Sequence, residues 1–292
     1  MSEKISLDSS ELKYYIMSRL LVYLVTVIFC VTKTFAQSEP FYFIQLSDPQ
    51  FGMLEKNKSF SQETKIMEKV VAVINNLNPA FVVITGDMVN DGEDQNQINE
   101  FKRICTLIKK NIPVYVLPGN HDLNQQSTDE SISCYMDEYG YDCFCFHLNN
   151  SCFIGLNTPI IFANREEKEK KQLVWLEKNL ENSQKCNHRI LFGHYPFFVK
   201  EPNETNRYEN IPIKKRKIYL DLMDKYRVSN MFAGHLHYNA MSSYGNFNIT
   251  ITNSICTPLG EDRIGIRIVK VYPDKIVHDY YGLDQIPSNI TL

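Results

Sequence analysis

The 292-residue chain is short of several things, and each shortage narrows what it can do. It has almost no excess of either charge: 34 acidic against 31 basic residues leave a formal net charge of −3. Bulk electrostatics therefore give no hold on a polyanion, and no nucleic-acid partner is expected. It lacks the roughly 20 consecutive apolar residues that span a bilayer as a helix. The candidate run, residues 20–31 (LLVYLVTVIFCV), falls short of that length, so no stable membrane span is expected. No cysteine spacing matches a structural zinc site. There is no internal repeat and no low-complexity linker, and the loops offer neither a base-stacking platform nor a lipid groove. What remains is ordinary globular composition, 43% hydrophobic and 22% charged, long enough to close one large α/β core.

The short apolar run has a different use. Arg19 precedes it and Thr34-Phe35-Ala36 follows, the layout of a secretory signal peptide, with small residues at 34 and 36 suited to cleavage before Gln37. Residues 1–16 carry mixed charge and fit no signal peptide, whereas a start at Met17 gives a short basic end and then the apolar core. The expected division is an N-terminal extension with signal peptide at 1–36 and one domain at 37–292. Cleavage sends the product into the secretory pathway; without it the chain stays in the cytoplasm.

Seven cysteines remain after residue 36: Cys105, Cys134, Cys143, Cys145, Cys152, Cys186 and Cys256. Cys143 and Cys145 alternate with aromatics as in a buried strand and read as free core thiols. Cys134 with Cys143 or Cys152 is a candidate disulfide in a secreted product. Glycosylation sequons stand at Asn57, Asn149, Asn203, Asn248 and Asn289. The basic run at 214–217 (KKRK) opens a helical pattern and reads as a solvated helix face.

From residue 40 onward, short β-branched and aromatic runs alternate with longer amphipathic stretches, the pattern of stacked βα units. Strands are expected at 41–47, 81–85, 114–117, 152–156, 189–192, 231–233, 249–254, 264–272 and 275–281, the last ones antiparallel. Helices are expected at 61–77, 96–110, 129–138, 166–180 and 214–226. Five strands end in polar motifs that contain glycine: SDPQFG from Ser47, GDMVND from Gly86, GNHD from Gly119, GHYP from Gly193 and GHLH from Gly234. In an open α/β sheet the binding crevice lies beyond the carboxyl ends of the strands, so these loops should converge.

Together they supply Asp48, Asp87, Asn120, His194, His235 and His237: carboxylate, amide and imidazole, the donors of hard and borderline divalent ions. Six such groups suit two ions, with Asp87, in the middle of the set, as the natural bridging carboxylate. Cysteine is absent from the set, which speaks for a catalytic centre with open positions rather than a structural zinc site. Any one of these residues alone has an ordinary reading, a capping Asp or a hydrogen-bonded core His. Five motifs in series after five strands do not.

The order of motifs resembles the calcineurin-like metallophosphoesterases across residues 41–285. The resemblance implies a sandwich of two mixed β-sheets flanked by helices, four layers in all, with two divalent ions (Mn, Mg, Fe or Zn) at the sheet edge. It assigns the first ion to Asp48 and His237, the bridge to Asp87, and the second ion to Asn120, His194 and His235. It makes His121 the proton donor to the leaving oxygen, oriented by Asp122. The departure is Gln50, where most members have histidine; a neutral carbonyl oxygen in place of an imidazole nitrogen favours harder ions such as Mg²⁺ or Mn²⁺. The DPQ variant and the tail segments SICTPLG, GIRIVKVY and KIVHDYY resemble the calcineurin-like phosphoesterase domain-containing protein 1 subgroup, described as protein serine/threonine phosphatases. The expected reaction is hydrolysis of a phosphoric monoester by a hydroxide bridging the two ions, with a phosphorylated protein or a small-molecule phosphoester as substrate. Rival readings are a secreted phosphatase or phosphodiesterase acting on small molecules or nucleotides, and a non-catalytic metal-binding interaction protein. Phe51, Phe197, Phe198 and Tyr238 flank the motifs as candidate rim residues, and Arg263 and Arg267 as candidate phosphate contacts.

Overall fold

In the computed structural model, which describes residues 39–292, the sequence FYFIQL at Phe41–Leu46 forms strand β1, and its two faces serve two different cores. Phe41 and Phe43 point into one core and Ile44 and Leu46 into the other. Side chains alternate across a strand, so a run this apolar can only be a central strand covered on both sides. It pairs in parallel with β2 (Val82–Thr85), which pairs in parallel with β3 (Val114–Leu117).

The six-stranded sheet holds β4 (Phe144–Leu148), β5 (Ser151–Gly155), β6 (His188–Phe192), β7 (Asn230–Ala233), β8 (Ala240–Tyr244) and β9 (Phe247–Ile251), in the order β4-β5-β6-β7-β9-β8. β10 (Gly265–Val271) and β11 (Ile276–Gly282) complete the five-stranded sheet, order β11-β10-β1-β2-β3, and run antiparallel as expected. The helices are α1 (Ser61–Leu77), α2 (Gln95–Thr106), α3 (Asp129–Tyr139), α4 (Thr158–Phe162), α5 (Glu166–Asn182) and α6 (Ile213–Lys225). Two helix starts are fixed by side-chain caps. Asp94 accepts from the Asn96 and Gln97 N–H groups, and Thr128 from that of Ser131.

The sheets face each other through an aromatic layer. The Phe43 ring stacks on Phe81 at 4.6 Å and meets Phe153, Phe192 and Phe232 edge-on at 5.8, 5.6 and 5.8 Å. Such pairs contribute about 0.5–1.5 kcal/mol each beyond the area they bury. Toward the carboxyl ends of the strands the same layer turns polar. Gln45 donates to Thr85 Oγ1 and the Ala233 carbonyl and accepts from Thr252 Oγ1 at 2.6 Å. Arg267, directly opposite Gln45 on β10, donates to Thr252 Oγ1 and Asn239 Oδ1, both at 2.7 Å. This fully bonded polar layer lies beneath the motif loops and holds them by directional contacts.

Every expected strand and helix forms, giving the expected two-sheet sandwich with flanking helices. Two further strands, β4 and β8, lie at the edges of the six-stranded sheet, and only a single short helix, α4, is added. The signal-peptide expectation at 1–36 lies outside the described residues. Among those described, no helix is long and apolar enough to cross a membrane.

Three expectations need correcting. Arg216 of the basic run is not solvated: it is buried, and its guanidinium donates to the carbonyls of Ile211, Pro202 and Glu204, so it braces the segment leading into α6. Arg267 is likewise buried in the polar layer, and Arg263 pairs with Asp284 on the surface, so neither is a phosphate contact. All seven described cysteines are free. Cys134 is exposed on α3 while Cys152 is buried in β5, and Cys143 and Cys145 are only half-buried rather than core.

Candidate metal centre

Five of the seven expected metal-ligating residues sit where L-amino acids rarely go. Asp48, Gln50, Asp87, His235 and His237 have φ of 51°, 43°, 47°, 74° and 55°. Each such residue costs about 1–3 kcal/mol, and clusters of them mark functional sites. The turns aim each side chain back over the strand it has just left. Glycine makes the crowding possible at Gly86 (φ 94°), where a Cβ would collide with the His194 ring, and at Gly119, where it would strike the Asp87 carboxylate.

The strand-end loops bring the set together as expected. Two groups, Asp48–Asp87–His237 and Asp87–His194–His235, each have their ligand atoms within 4.8 Å of one another, and Asp87 belongs to both. His237 Nε2 lies 3.4 Å from Asp48 Oδ1, and His194 Nε2 lies 3.3 Å from Asp87 Oδ2. Asn120 Oδ1 is 2.8 Å from His194 Nε2, and its amide nitrogen is turned away to donate to Gln125 Oε1 and the Tyr208 hydroxyl.

Each imidazole is set by a main-chain carbonyl. His194 Nδ1 lies 2.9 Å from Thr85 O, His237 Nδ1 2.8 Å from Thr257 O, and His235 Nε2 3.0 Å from Tyr208 O. A carbonyl only accepts, so those nitrogens carry the hydrogen and the opposite nitrogen keeps its lone pair for the centre. The ligand atom is thereby Nε2 in His194 and His237, and Nδ1 in His235.

The residues fit a pair of cations on a further observation. Asp48 Oδ1 and Gln50 Oε1 are buried and have no hydrogen-bond partner. Orphaned buried oxygens are costly unless something positive meets them. The electrostatics agree: burial alone would pull His194 down, but the charges of Asp87 and Asp48 raise it to about 9. Burial would raise Asp87, yet His194, His121 and His235 hold it well below the carboxylate range. His235, desolvated and beside His194, is pushed down to about 3 and stays neutral.

Asp122 does not orient His121, as the resemblance implied. Its carboxylate accepts from the N–H groups of Gly119, Met88 and Val89 at 2.8, 3.2 and 3.2 Å, so it ties the β2 and β3 loops together. Burial and the charge of Asp87 push it up to about 7, against those N–H donors. His121 is oriented instead by the Asn90 carbonyl, 2.9 Å from Nδ1, and by its own N–H, which donates to Asp87 Oδ1 at 2.8 Å. Asp122→Asn is therefore expected to lower the melting temperature, by about 1–3 kcal/mol of stability for a backbone donor left without an acceptor. It should leave the pH profile of the remaining turnover unchanged, which calorimetry and a pH–rate series will check together.

Phe51, Phe197 and Phe198 are wholly buried and pack the loops instead of rimming a cleft. Tyr238 does border an open cavity of about 480 Å³, together with Lys200, Glu204, Arg207 and Asn210. Tyr208, which nothing in the sequence marks, touches both Asn120 and His235. It lies in a loop without any motif, and half of its contribution is a main-chain carbonyl, which leaves no trace in residue type.

A double-layered sheet edge with two carboxylate–imidazole groups sharing one aspartate defines a metal-dependent phosphoester hydrolase. The calcineurin-like phosphoesterase family model matches residues 41–239, and the chain belongs to that family. It is similar to serine/threonine-protein phosphatase CPPED1 of Rattus norvegicus and of Homo sapiens, 32% identical to each over 266 and 269 residues, 85% of this chain and 85% of theirs. Among solved structures it shares its fold with a dimetal phosphatase from Danio rerio, with a TM-score of 0.62 at 14% identity over 84% of this chain and 97% of that one.

Proposed function

We propose that the chain is a protein serine/threonine phosphatase in which Asp48, Gln50, Asp87, Asn120, His194, His235 and His237 hold two divalent ions and His121 supplies the leaving-group proton. The observation that carries the reading is Asp87: its carboxylate belongs to both ligand groups, and its Oδ1 also accepts the main-chain N–H of His121. When bound, the two ions would acidify a water and offset the charge of the phosphoryl oxygens. The chain's own part is position. Asp87 fixes the distance from the centre to the His121 ring. The Asn90 carbonyl fixes the hydrogen on Nδ1, so a protonated His121 presents Nε2–H to the departing oxygen.

Phosphoprotein as substrate draws its support from the CPPED1 relatives' name and from the open, polar cavity beside Tyr238, which fits an extended chain better than an enclosed small molecule. Rates on a phosphoserine peptide, a nucleotide monophosphate and a phosphodiester test it. Preference for the peptide is expected, and preference for the nucleotide or the diester overturns it in favour of a small-molecule enzyme. Passage through the secretory route is a separate proposal, supported by the layout of residues 19–36. Sequencing the amino terminus of the native protein decides it: Gln37 supports cleavage, and any residue upstream defeats it.

Gln50→His tests the metal preference. With imidazole in place of the orphaned Gln50 oxygen, activity should shift from Mg²⁺ or Mn²⁺ toward Zn²⁺ in a metal-reconstitution series, with total turnover changed less than about tenfold. A rise from near-zero activity would instead mark the natural chain as a non-catalytic metal-binding protein.

A further inference from the structure

The hairpin of β4 and β5 places two sulfurs and an imidazole on one face, at the far end of the sheet from the centre described above. Cys145 and His147 are two apart on β4, and Cys152 lies directly opposite His147 on β5. Their inward-pointing neighbours Phe144, Phe146 and Phe153 belong to the aromatic layer between the sheets, so the three point outward. The Cys145 and Cys152 sulfurs are 3.8 Å apart, and the ligand atoms of all three residues lie within 4.8 Å of one another. Cys152 is buried, Cys145 half-buried and His147 exposed. The strand order explains why residue spacing hid the group: C-x-H-x4-C is no zinc pattern along the chain, and only the antiparallel register folds it into a triangle.

From this arrangement we infer that Cys145, His147 and Cys152 form a second, sulfur-rich metal site for a borderline cation of the Zn²⁺ type, separate from the oxygen and nitrogen centre. The spacing fits the chemistry. Zn–S bonds of about 2.3 Å in tetrahedral geometry place two sulfurs about 3.8 Å apart. The competing use, a disulfide, fits poorly. Cys145 pairs across the ladder with Ile154, which makes Cys145 and Cys152 diagonal neighbours. Diagonal Cβ atoms sit about 7 Å apart, whereas a disulfide wants about 3.5–4.5 Å. A metal between the sulfurs spans the larger gap without moving the ladder. With His147 exposed, water reaches the fourth position. The donor set S₂N selects against Mg²⁺ and Ca²⁺, so the two sites load with different ions.

The test uses Co²⁺ as the probe on full-length protein, reduced and stripped with chelator. Thiolate-to-Co²⁺ charge transfer gives a near-ultraviolet band that the Asp, Asn and His centre cannot give, because it contains no sulfur. One equivalent bearing that band is expected, displaced by Zn²⁺, absent in Cys145→Ser and Cys152→Ser, and intact in Cys134→Ser. His147→Ala should weaken Co²⁺ binding by at least roughly tenfold, since even outer partners of a metal site are worth that much. His147 is exposed, so this variant does not disturb the core. Phosphatase turnover reports whether Cys152→Ser has folded, and it should stay at the wild-type level in all four variants. No sulfur band in the wild type, or a band that survives both serine variants, overturns the site.

Discussion

Asp87→Asn is expected to empty both halves of the centre and to lower turnover on the order of 10³-fold, the scale of losing one preorganised charge in a water-excluded site. The reason is its shared position. Asp48 and His237 face it from one side and His194 and His235 from the other, so one neutral amide weakens both groups at once. Asparagine is isosteric and its oxygen can still accept the His121 N–H, so the loop need not rearrange. Metal analysis after gel filtration checks the loss of ions, and a far-ultraviolet circular dichroism spectrum matching the wild type checks that the fold is intact. A second readout needs no activity. The Asp87 charge is the largest influence raising His194 to about 9 against burial, so in metal-free Asp87→Asn the His194 resonance should titrate well below that. The sign follows for stability: with its folded value raised, His194 stabilises the metal-free wild type at acid and neutral pH, and that contribution fades as pH rises through about 9. The variant should lack this alkaline loss. Retention of both ions with wild-type turnover would refute the bridging role.

The site was readable in the sequence to the extent that residue type carried it. Strands β1, β2, β3, β6 and β7 announce themselves as apolar runs, and each hands over to a glycine-bearing polar motif, so position and chemistry agree. What could not be read is what main-chain atoms do. The carbonyls of Thr85, Thr257, Tyr208 and Asn90 set the tautomers of four histidines, and every residue has a carbonyl. Asp122 was legible as important but not in its role, because a carboxylate that ties loops together and one that orients an imidazole look alike in sequence. Arg216 stood in a run of lysines and was averaged with them; its burial comes from the segment at 202–211 wrapping over it. Edge strand β8 is too polar to stand out, and the alternation around Cys143 and Cys145 marks β4 without its partner or register; the sulfur cluster exists only through that register.

His121→Ala separates chemistry from metal binding. The ring hangs from a backbone whose N–H donates to Asp87 Oδ1, a contact that alanine keeps, and its Nδ1 bonds the Asn90 carbonyl, outside the two ligand groups. Metal content should therefore match the wild type. Turnover on a phosphoserine peptide, whose alkoxide leaves poorly without a proton, should fall by about 10²–10⁴-fold, the usual worth of a positioned general acid. On an aryl phosphate with a nitro-substituted ring the leaving oxygen needs little help, and the same variant should lose far less. The contrast between the two substrates is the signature of proton donation. Equal losses on both would mean that the ring positions the phosphate instead, and a shift in KM with unchanged kcat would say the same. Wild-type turnover on the peptide would remove His121 from the reaction and leave proton supply to solvent.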